Sequence, residues 1–279
     1  MTLYPSVHIT YFFEEFGQIM KFRCFILLLA SMISFNQLTA KNWVKNYSLG
    51  VYAGPEIYCV HRKKENGTKQ SGTLYGVRFG YDHIYRYKMY WGIDALWARG
   101  ALHGKADKDA LKSIFTDMNI EARIGYTFQS KFWRCASFTP YFGAGFFWEN
   151  NDYQDPSPIP VHFKNQFTYI PIGFLSQIFI TPRWSLGVNF KIRYLLQTEH
   201  WVTHDPDNKD LKQMYQEKIQ YRVEMPVTYF NCWNQNSLGI CLVPFYEYRP
   251  YGHRANFPFD FLETNLQIYG TTLKIMVLF

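Results

Sequence analysis

Two stretches of this chain alternate apolar and polar residues with a period of two, and that period limits the fold more than any other feature. From 117 to 128, Met118, Ile120, Ala122, Ile124, Tyr126 and Phe128 share one parity; Asp117, Asn119, Glu121, Arg123, Gly125 and Thr127 share the other. From 218 to 229, Ile219, Tyr221, Val223, Met225, Val227 and Tyr229 alternate with Lys218, Gln220, Arg222, Glu224 and Thr228. A strand sends successive side chains to opposite faces, whereas a helix would mix the two sets on one surface. Shorter copies run through Tyr75, Val77, Phe79 and Tyr81, and through Leu186, Val188, Phe190, Ile192 and Tyr194. The chain reads as all-β.

Ten segments carry this character: about Tyr47 to Val60, Thr73 to Tyr85, Met89 to Arg99, Phe115 to Gln129, Thr139 to Glu149, Gln166 to Ile180, Ser185 to Gln197, Lys218 to Phe230, Ser237 to Tyr248, and Glu263 to Phe279. Each reaches the ~9–11 residues a tilted strand needs to cross hydrocarbon. The intervals alternate. Those at 61–72, 100–114, 150–165, 198–217 and 249–262 are long; those at 86–88, 130–138, 181–184 and 231–236 are short. Long loops at one end and short turns at the other describe an up-and-down antiparallel transmembrane β-barrel of ten strands, with eight as the smaller alternative. An even count puts both termini at the short-turn end. A soluble β-sandwich would show the same alternation with its apolar face turned inward. Periodicity does not separate the two; the regular alternation of connections favours the barrel.

Composition agrees. Of 279 residues, 20% are aromatic and 18% charged, which is too aromatic and too apolar for disorder. Past the N-terminal region no apolar run nears the ~18 residues of a spanning helix. Aromatics gather at strand ends: Tyr85, Tyr87, Tyr90, Trp91, Trp133, Phe138, Trp184, Tyr229 and Trp233 near short turns, and Tyr58, Trp97, Trp148, Trp201, Tyr246 and Tyr248 near long loops. Two such belts suit the two headgroup levels of a bilayer. The net charge of +7 has one dense basic run, His61-Arg62-Lys63-Lys64, and otherwise mixes bases with acids. That is not the stripe of a nucleic-acid binder.

The front of the chain reads as a leader. Met20-Lys21-Phe22-Arg23 is a basic start, an apolar run extends from Phe25 to Phe35, and Leu38-Thr39-Ala40 offers a small residue for cleavage. Residues 1–40 are therefore a leader, with the signal peptide at about 20–40 and 1–19 an over-long gene start. Residues 41–279 form the barrel.

Thr139-Pro140-Tyr141-Phe142-Gly143-Ala144-Gly145-Phe146 resembles a strand of small bacterial outer-membrane β-barrel proteins of the OmpA/OmpW-like group. The final stretch, with apolar residues at alternate positions up to Phe279, resembles the closing strand of such barrels. The resemblance implies a bacterial outer-membrane location and a structural or surface-binding role through the loops. It implies outer-membrane lipid and the barrel-assembly machinery as partners, with Phe279 as assembly signal, and no cofactor. Glycines on an inward face make room for bulky residues across a narrow lumen.

On this reading the inward charges are Arg78, Asp82, Asp94, Glu121, Arg123, Lys191, Arg193, Arg222, Glu224 and Lys274. They balance in sign, so a lumen this narrow is plugged by a hydrogen-bonded network. The alternative is a narrow anion-favouring porin lined by the arginines and lysines. A third reading, a hydrolase at the extracellular rim, would draw on His200, His204, Asp205, Asp152 and Asp155. No G-x-S-x-G or HExxH element accompanies them, and no metal-ligand motif stands out. Cys135 and Cys232 fall in short turns and are candidates for a bridge; Cys59 and Cys241 read as space-filling strand residues.

Overall fold

The computed structural model describes residues 50–84, 88–129, 136–158, 161–204, 211–213, 218–233, 236–252 and 263–278. The leader, the first residues of the first expected strand, Tyr85, Tyr87, Trp133, Cys135, Asp205 and Phe279 lie outside the described residues, as do the side chains of Cys232 and Trp233.

Among the described residues the strands line up as ten staves. These are β1 (Val51–Lys64), β2 (Lys69–His83), β3 (Met89–Ala106), β4 (Asp109–Tyr126, resumed at Phe128–Gln129) and β5 (Ala136–Gln154). Then follow β6 (His162–Phe179), β7 (Trp184–Leu186 and Asn189–Thr203), β8 (Ile219–Glu224 and Val227–Trp233), β9 (Asn236–Pro250) and β10 (Thr264–Leu278). Leu211–Gln213 adds a short stub on β7. Every stave pairs antiparallel with the next, and β10 pairs with β1 from Val51↔Val277 to Lys64↔Thr264, closing the sheet.

The apolar parity points out. Ile120 is 54% exposed and Ile124 39%, while Glu121 between them is at 0%. On β8, Ile219, Tyr221 and Met225 are exposed and Arg222 is at 2%. Phe79, Ile93, Phe142, Ile172, Leu242 and Ile275 continue this belt around the ring. In water each such side chain would forgo about 1.5–3 kcal/mol of burial. A contiguous apolar belt of this extent is a surface for lipid. Trp91, Tyr126, Phe138 and Trp184 edge it at the short-turn end; Trp97, Trp148, Tyr246 and Tyr269 edge it at the other. The soluble-sandwich alternative is thereby excluded.

Two corrections to the expected strands have physical causes. Most of the expected long loops are strand: β1 and β2 meet across a turn at 65–68, and β3 and β4 across Asp107-Lys108, where Asp107 takes a positive φ of 51°. The alternation persists there with its polarity changed. His61, Lys63, Lys69, Ser71, His103 and Lys105 are exposed, whereas Val60, Leu74, Leu102 and Phe115 are buried. Outside the lipid an outward position faces water, so the outward apolar pattern stops at the belt's edge while the strand runs on. Second, β7 and β8 are interrupted side by side at Gly187-Val188 and Met225-Pro226. Pro226 has no N–H to donate. Its carbonyl accepts from Gly187 N at 2.9 Å, and Ser176 Oγ accepts from Val188 N at 2.9 Å in place of a ladder bond.

Candidate functional site

The interior is filled by a charge network strung across the ring. Arg78 on β2 donates to both Glu56 oxygens on β1, Nη2 at 2.9 Å from Oε1, and reaches Asp94 on β3. Thr272 on β10 donates to Glu56 at 2.7 Å. Arg222 on β8 holds Glu224 at 2.7 Å and Glu247 at 3.0 Å, and lies 3.7 Å from Glu56. Arg249 on β9 reaches Glu247 at 2.5 Å, Glu149 at 2.6 Å and Asp117 at 3.0 Å; Arg193 also pairs with Glu247. Toward the short-turn end, Arg123 joins Asp82 at 3.3 Å, and Lys191 holds Glu121 at 2.9 Å. Lys274 sets its ammonium over the Tyr52 ring, 4.3 Å from the centroid.

Tyrosines tie the carboxylates to the wall. Tyr52 donates to Asp94 at 2.6 Å, Tyr58 to Asp117 at 2.9 Å, Tyr90 to Asp82 at 2.6 Å, Tyr169 to Glu121 at 2.8 Å and Tyr251 to Glu149 at 2.7 Å. Two of these rings need glycine beside them. A Cβ on Gly145 would stand 2.2 Å from Tyr169 Cζ, and one on Gly80 2.6 Å from Tyr52 Cζ. This is the space-making use of inward glycines expected from the sequence.

Apolar side chains close the lumen at two heights. Tyr52, Phe230, Cys241, Val243 and Met276 cluster at the short-turn end. A larger cluster at and above the network contains Val60, Leu74, Leu96, Leu102, Phe115, Phe147, Phe167, Leu195, Leu266 and Ile268. The guanidiniums of Arg193 and Arg249 face the Phe147 ring at 5.7 and 5.2 Å.

Of the ten charges named from the sequence, nine join through ion pairs, and Lys274 lies against the Tyr52 ring. Glu56, Asp117, Glu149, Glu247 and Arg249 also belong to the network and were not expected from the sequence, although Arg249 touches three carboxylates, as many as Arg222. The signal was present: Glu247 and Arg249 alternate with outward Tyr246 and Tyr248, and Glu149 follows outward Trp148.

Above the network, Arg62 and Lys64 stand 5.9 and 5.5 Å from the centroid of Phe163, and His200 stacks on that ring at 5.4 Å. Burial, together with Arg62 and Lys64, holds the His200 imidazole well below its usual range. Burial and then Arg62 push the Lys64 ammonium down to about 7. His200 bonds Asn165 and is fully buried, so it does not join the rim. His204 is at the rim, its ring 5.9 Å from His162, which pairs with Asp152. His162 was missed because its carboxylate partner is on the neighbouring strand. Asp155 lies exposed in the turn beyond β5. Among the described residues no three His, Cys, Asp or Glu side chains gather as metal ligands would. Cys59 and Cys241 are free; Thr228 Oγ1 donates to the buried Cys241 sulfur at 3.1 Å.

No protein-family model and no curated protein matches the sequence. Solved structures do match. The outer membrane protease OmpT from Escherichia coli superposes with a TM-score of 0.53 at 11% identity, covering 84% of this chain and 97% of that one. The transport unit of the autotransporter AIDA-I from Escherichia coli gives 0.43 at 10% identity over 88% and 96%. Ail, the attachment invasion locus protein of Yersinia pestis, gives 0.32 at 11% identity over 81% and 99%. The first of these shows the fold: a closed antiparallel barrel of the outer-membrane type.

Proposed function

We propose that the chain is an integral β-barrel of a bacterial outer membrane, closed to solutes, with a structural or surface-binding role. The strand extensions and the connections above them form its contact surface. One observation carries this reading: among the described residues the barrel interior holds ion-paired charges flanked by two apolar clusters. A narrow anion pore would need its cations turned to a water column, whereas Arg78, Arg123, Lys191, Arg193, Arg222 and Arg249 all face carboxylates. Such engaged groups are also poor material for acid–base chemistry, which supports a non-catalytic role. The hydrolase reading keeps one observation in its favour, the Asp152–His162 pair with His204 beside it.

The partners that go with this role are outer-membrane lipid around the apolar belt, the assembly machinery acting on β10 and Phe279, and a surface ligand at the extensions. Cys135 and Cys232 are proposed to pair; changing both to Ser would then alter migration on a non-reducing gel, and unchanged migration would remove the bridge. The main test has two parts. The protein should partition with membranes and migrate faster unheated than heated. Reconstituted in planar bilayers, it should give small or no conductance. Large stable channels would return the narrow porin to first place.

A further inference from the structure

At the end of the barrel away from the short turns, the inward faces hold positive charge that meets no acid. Arg62 and the half-buried Lys64 occupy successive inward positions on β1, 5.9 and 5.5 Å from the centroid of the Phe163 ring. Among the described residues neither joins an ion pair, whereas Arg78, Arg123, Arg193, Arg222 and Arg249 below all do. Arg62 has a neutral partner: its Nη1 donates to Tyr153 Oη at 3.4 Å, and Tyr153 donates on to Gln70 Oε1 at 2.8 Å. The carboxylates nearby are engaged or turned away. Glu149 accepts from Arg249 at 2.6 Å, from Tyr251 at 2.7 Å and from Asn165 at 3.1 Å. Glu65 and Glu263 are exposed at the turn, and Glu263 accepts from Asn265 Nδ2 at 2.9 Å. Beneath the two cations Val60, Leu74, Leu102, Phe115 and Leu266 form a buried apolar layer. Like charges set over hydrocarbon repel strongly, and the lowered pKa of Lys64 has that cause.

A second feature stands beside them and is independent of charge. Asn151 on β5 points inward and is 3% exposed, and neither its Nδ2 nor its Oδ1 has a hydrogen-bond partner in the protein. Its cross-strand neighbours are Phe115 on β4 and Phe163 on β6. Opposed side chains stand about 4.5–5.5 Å apart at Cβ, so this amide lies between two rings that offer it neither donor nor acceptor. One of those rings is the one that faces both cations. A buried amide without partners is costly, and few native groups are left so.

We infer that this end of the lumen holds a phosphate group, carried by a solute that enters from the side of Lys64, with Arg62, Lys64 and Asn151 as the residues that bind it. The two cations supply the charge. Asn151 Nδ2 donates to one phosphate oxygen, and Oδ1 accepts from the P–O–H of a monoprotonated phosphate or from a hydroxyl next to it. Sulfate has no proton to give at neutral pH and leaves Oδ1 bare. The half-buried Phe163 and Tyr153 edge the approach. The site gives the proposed contact surface a ligand and rests on the reading of a closed barrel, because the solute stops on the apolar layer instead of passing it.

The test is calorimetric titration of the full chain in mild detergent and phosphate-free buffer, at about pH 6, where Lys64 keeps its proton. The probes are inorganic phosphate, inorganic sulfate, glucose 6-phosphate and glucose. Both phosphates should bind, sulfate about tenfold more weakly, and glucose not at all. Lys64→Met and Asn151→Leu each remove a group that the unliganded protein buries at a cost. Each should therefore raise the thermal midpoint and yet weaken phosphate binding about tenfold. Groups with a merely structural role would lower the midpoint when removed. Lys63→Gln, a change of the outward residue between the two cations, should bind as the parent does. Tighter binding of glucose 6-phosphate assigns the site to phosphate esters and tighter binding of inorganic phosphate to the free ion; either supports it. Absence of saturable binding by both phosphates would overturn the site, as would sulfate binding equal to phosphate, or full affinity in both variants. Conductance of the same samples in planar bilayers reports the closed barrel separately. A conducting barrel that binds phosphate sinks the closed reading and keeps the site, and a closed barrel that binds none sinks only the site.

Discussion

Arg249 Nη1 lies 2.6 Å from Glu149 Oε1, joining β9 to β5 across the barrel between residues 100 positions apart in sequence. The same guanidinium serves Asp117 and Glu247, and all four groups are nearly inaccessible to solvent. Removing one member of such a set leaves buried charge without compensation. Arg249→Met should therefore lower stability by about 3–5 kcal/mol, read from denaturant unfolding in lipid vesicles. Arg249→Lys should recover only part of that, because an ammonium lacks the planar fork that meets three carboxylates. A near-neutral Arg249→Met would mean that the network contributes nothing net.

The outward face changes medium along its length, and arginine scanning would locate the change. Ile120→Arg places a cation against lipid and should cost about 2–4 kcal/mol, whereas Gln154→Arg, high on β5, should cost about 0–1 kcal/mol. Equal costs at the two positions would contradict the assignment of the belt to lipid and of the extension to water.

Gly145 has no room for a methyl group, since Tyr169 Cζ would be 2.2 Å away. Gly145→Ala should destabilise the barrel by about 1–3 kcal/mol by displacing that ring from Glu121 and Asn119. Combining it with Tyr169→Leu should give less than the sum of the two separate losses. Strict additivity in that double-mutant cycle would show that the ring and the glycine are not coupled.

Lys64, at the end of β1 away from the short turns, has its pKa pushed down to about 7 by burial and by Arg62. The unfolded chain keeps the ordinary lysine value of 10.5. Below about pH 7 both states carry the proton, and the folded state bears the whole cost of the buried charge. Between the two values the unfolded state binds more protons, so stability rises with pH and the cost vanishes near the upper one. Lys64→Met should thus raise the thermal midpoint most at about pH 6 and least at about pH 10. A gain that does not change across that range would show that Lys64 is not desolvated.

Much of the fold was legible because the period of two needs only local sequence. Ile120 and Glu121 take opposite faces on any strand, and counting such segments yields ten. The network's members were legible by the same parity, as with Arg78 and Arg222. What was lost depends on surroundings a single strand does not encode. His61 and Lys63 are strand residues in water, so a rule looking for grease on the outward side discarded them. The break at Met225-Pro226 makes sense beside its twin at Gly187-Val188, and register with a neighbouring strand is not written in either segment. His162 meets Asp152 for the same reason.

β10 pairs with β1 from Val51↔Val277 to Lys64↔Thr264, with one interruption at Gly54-Pro55, so among the described residues the sheet has no unpaired strand at the level of the membrane. An unpaired strand margin can enlist a strand of another polypeptide through main-chain groups alone. This ring offers none there. Whatever docks on the membrane-level wall must recognise side chains, and swapping those side chains would redirect the docking without disturbing the ring.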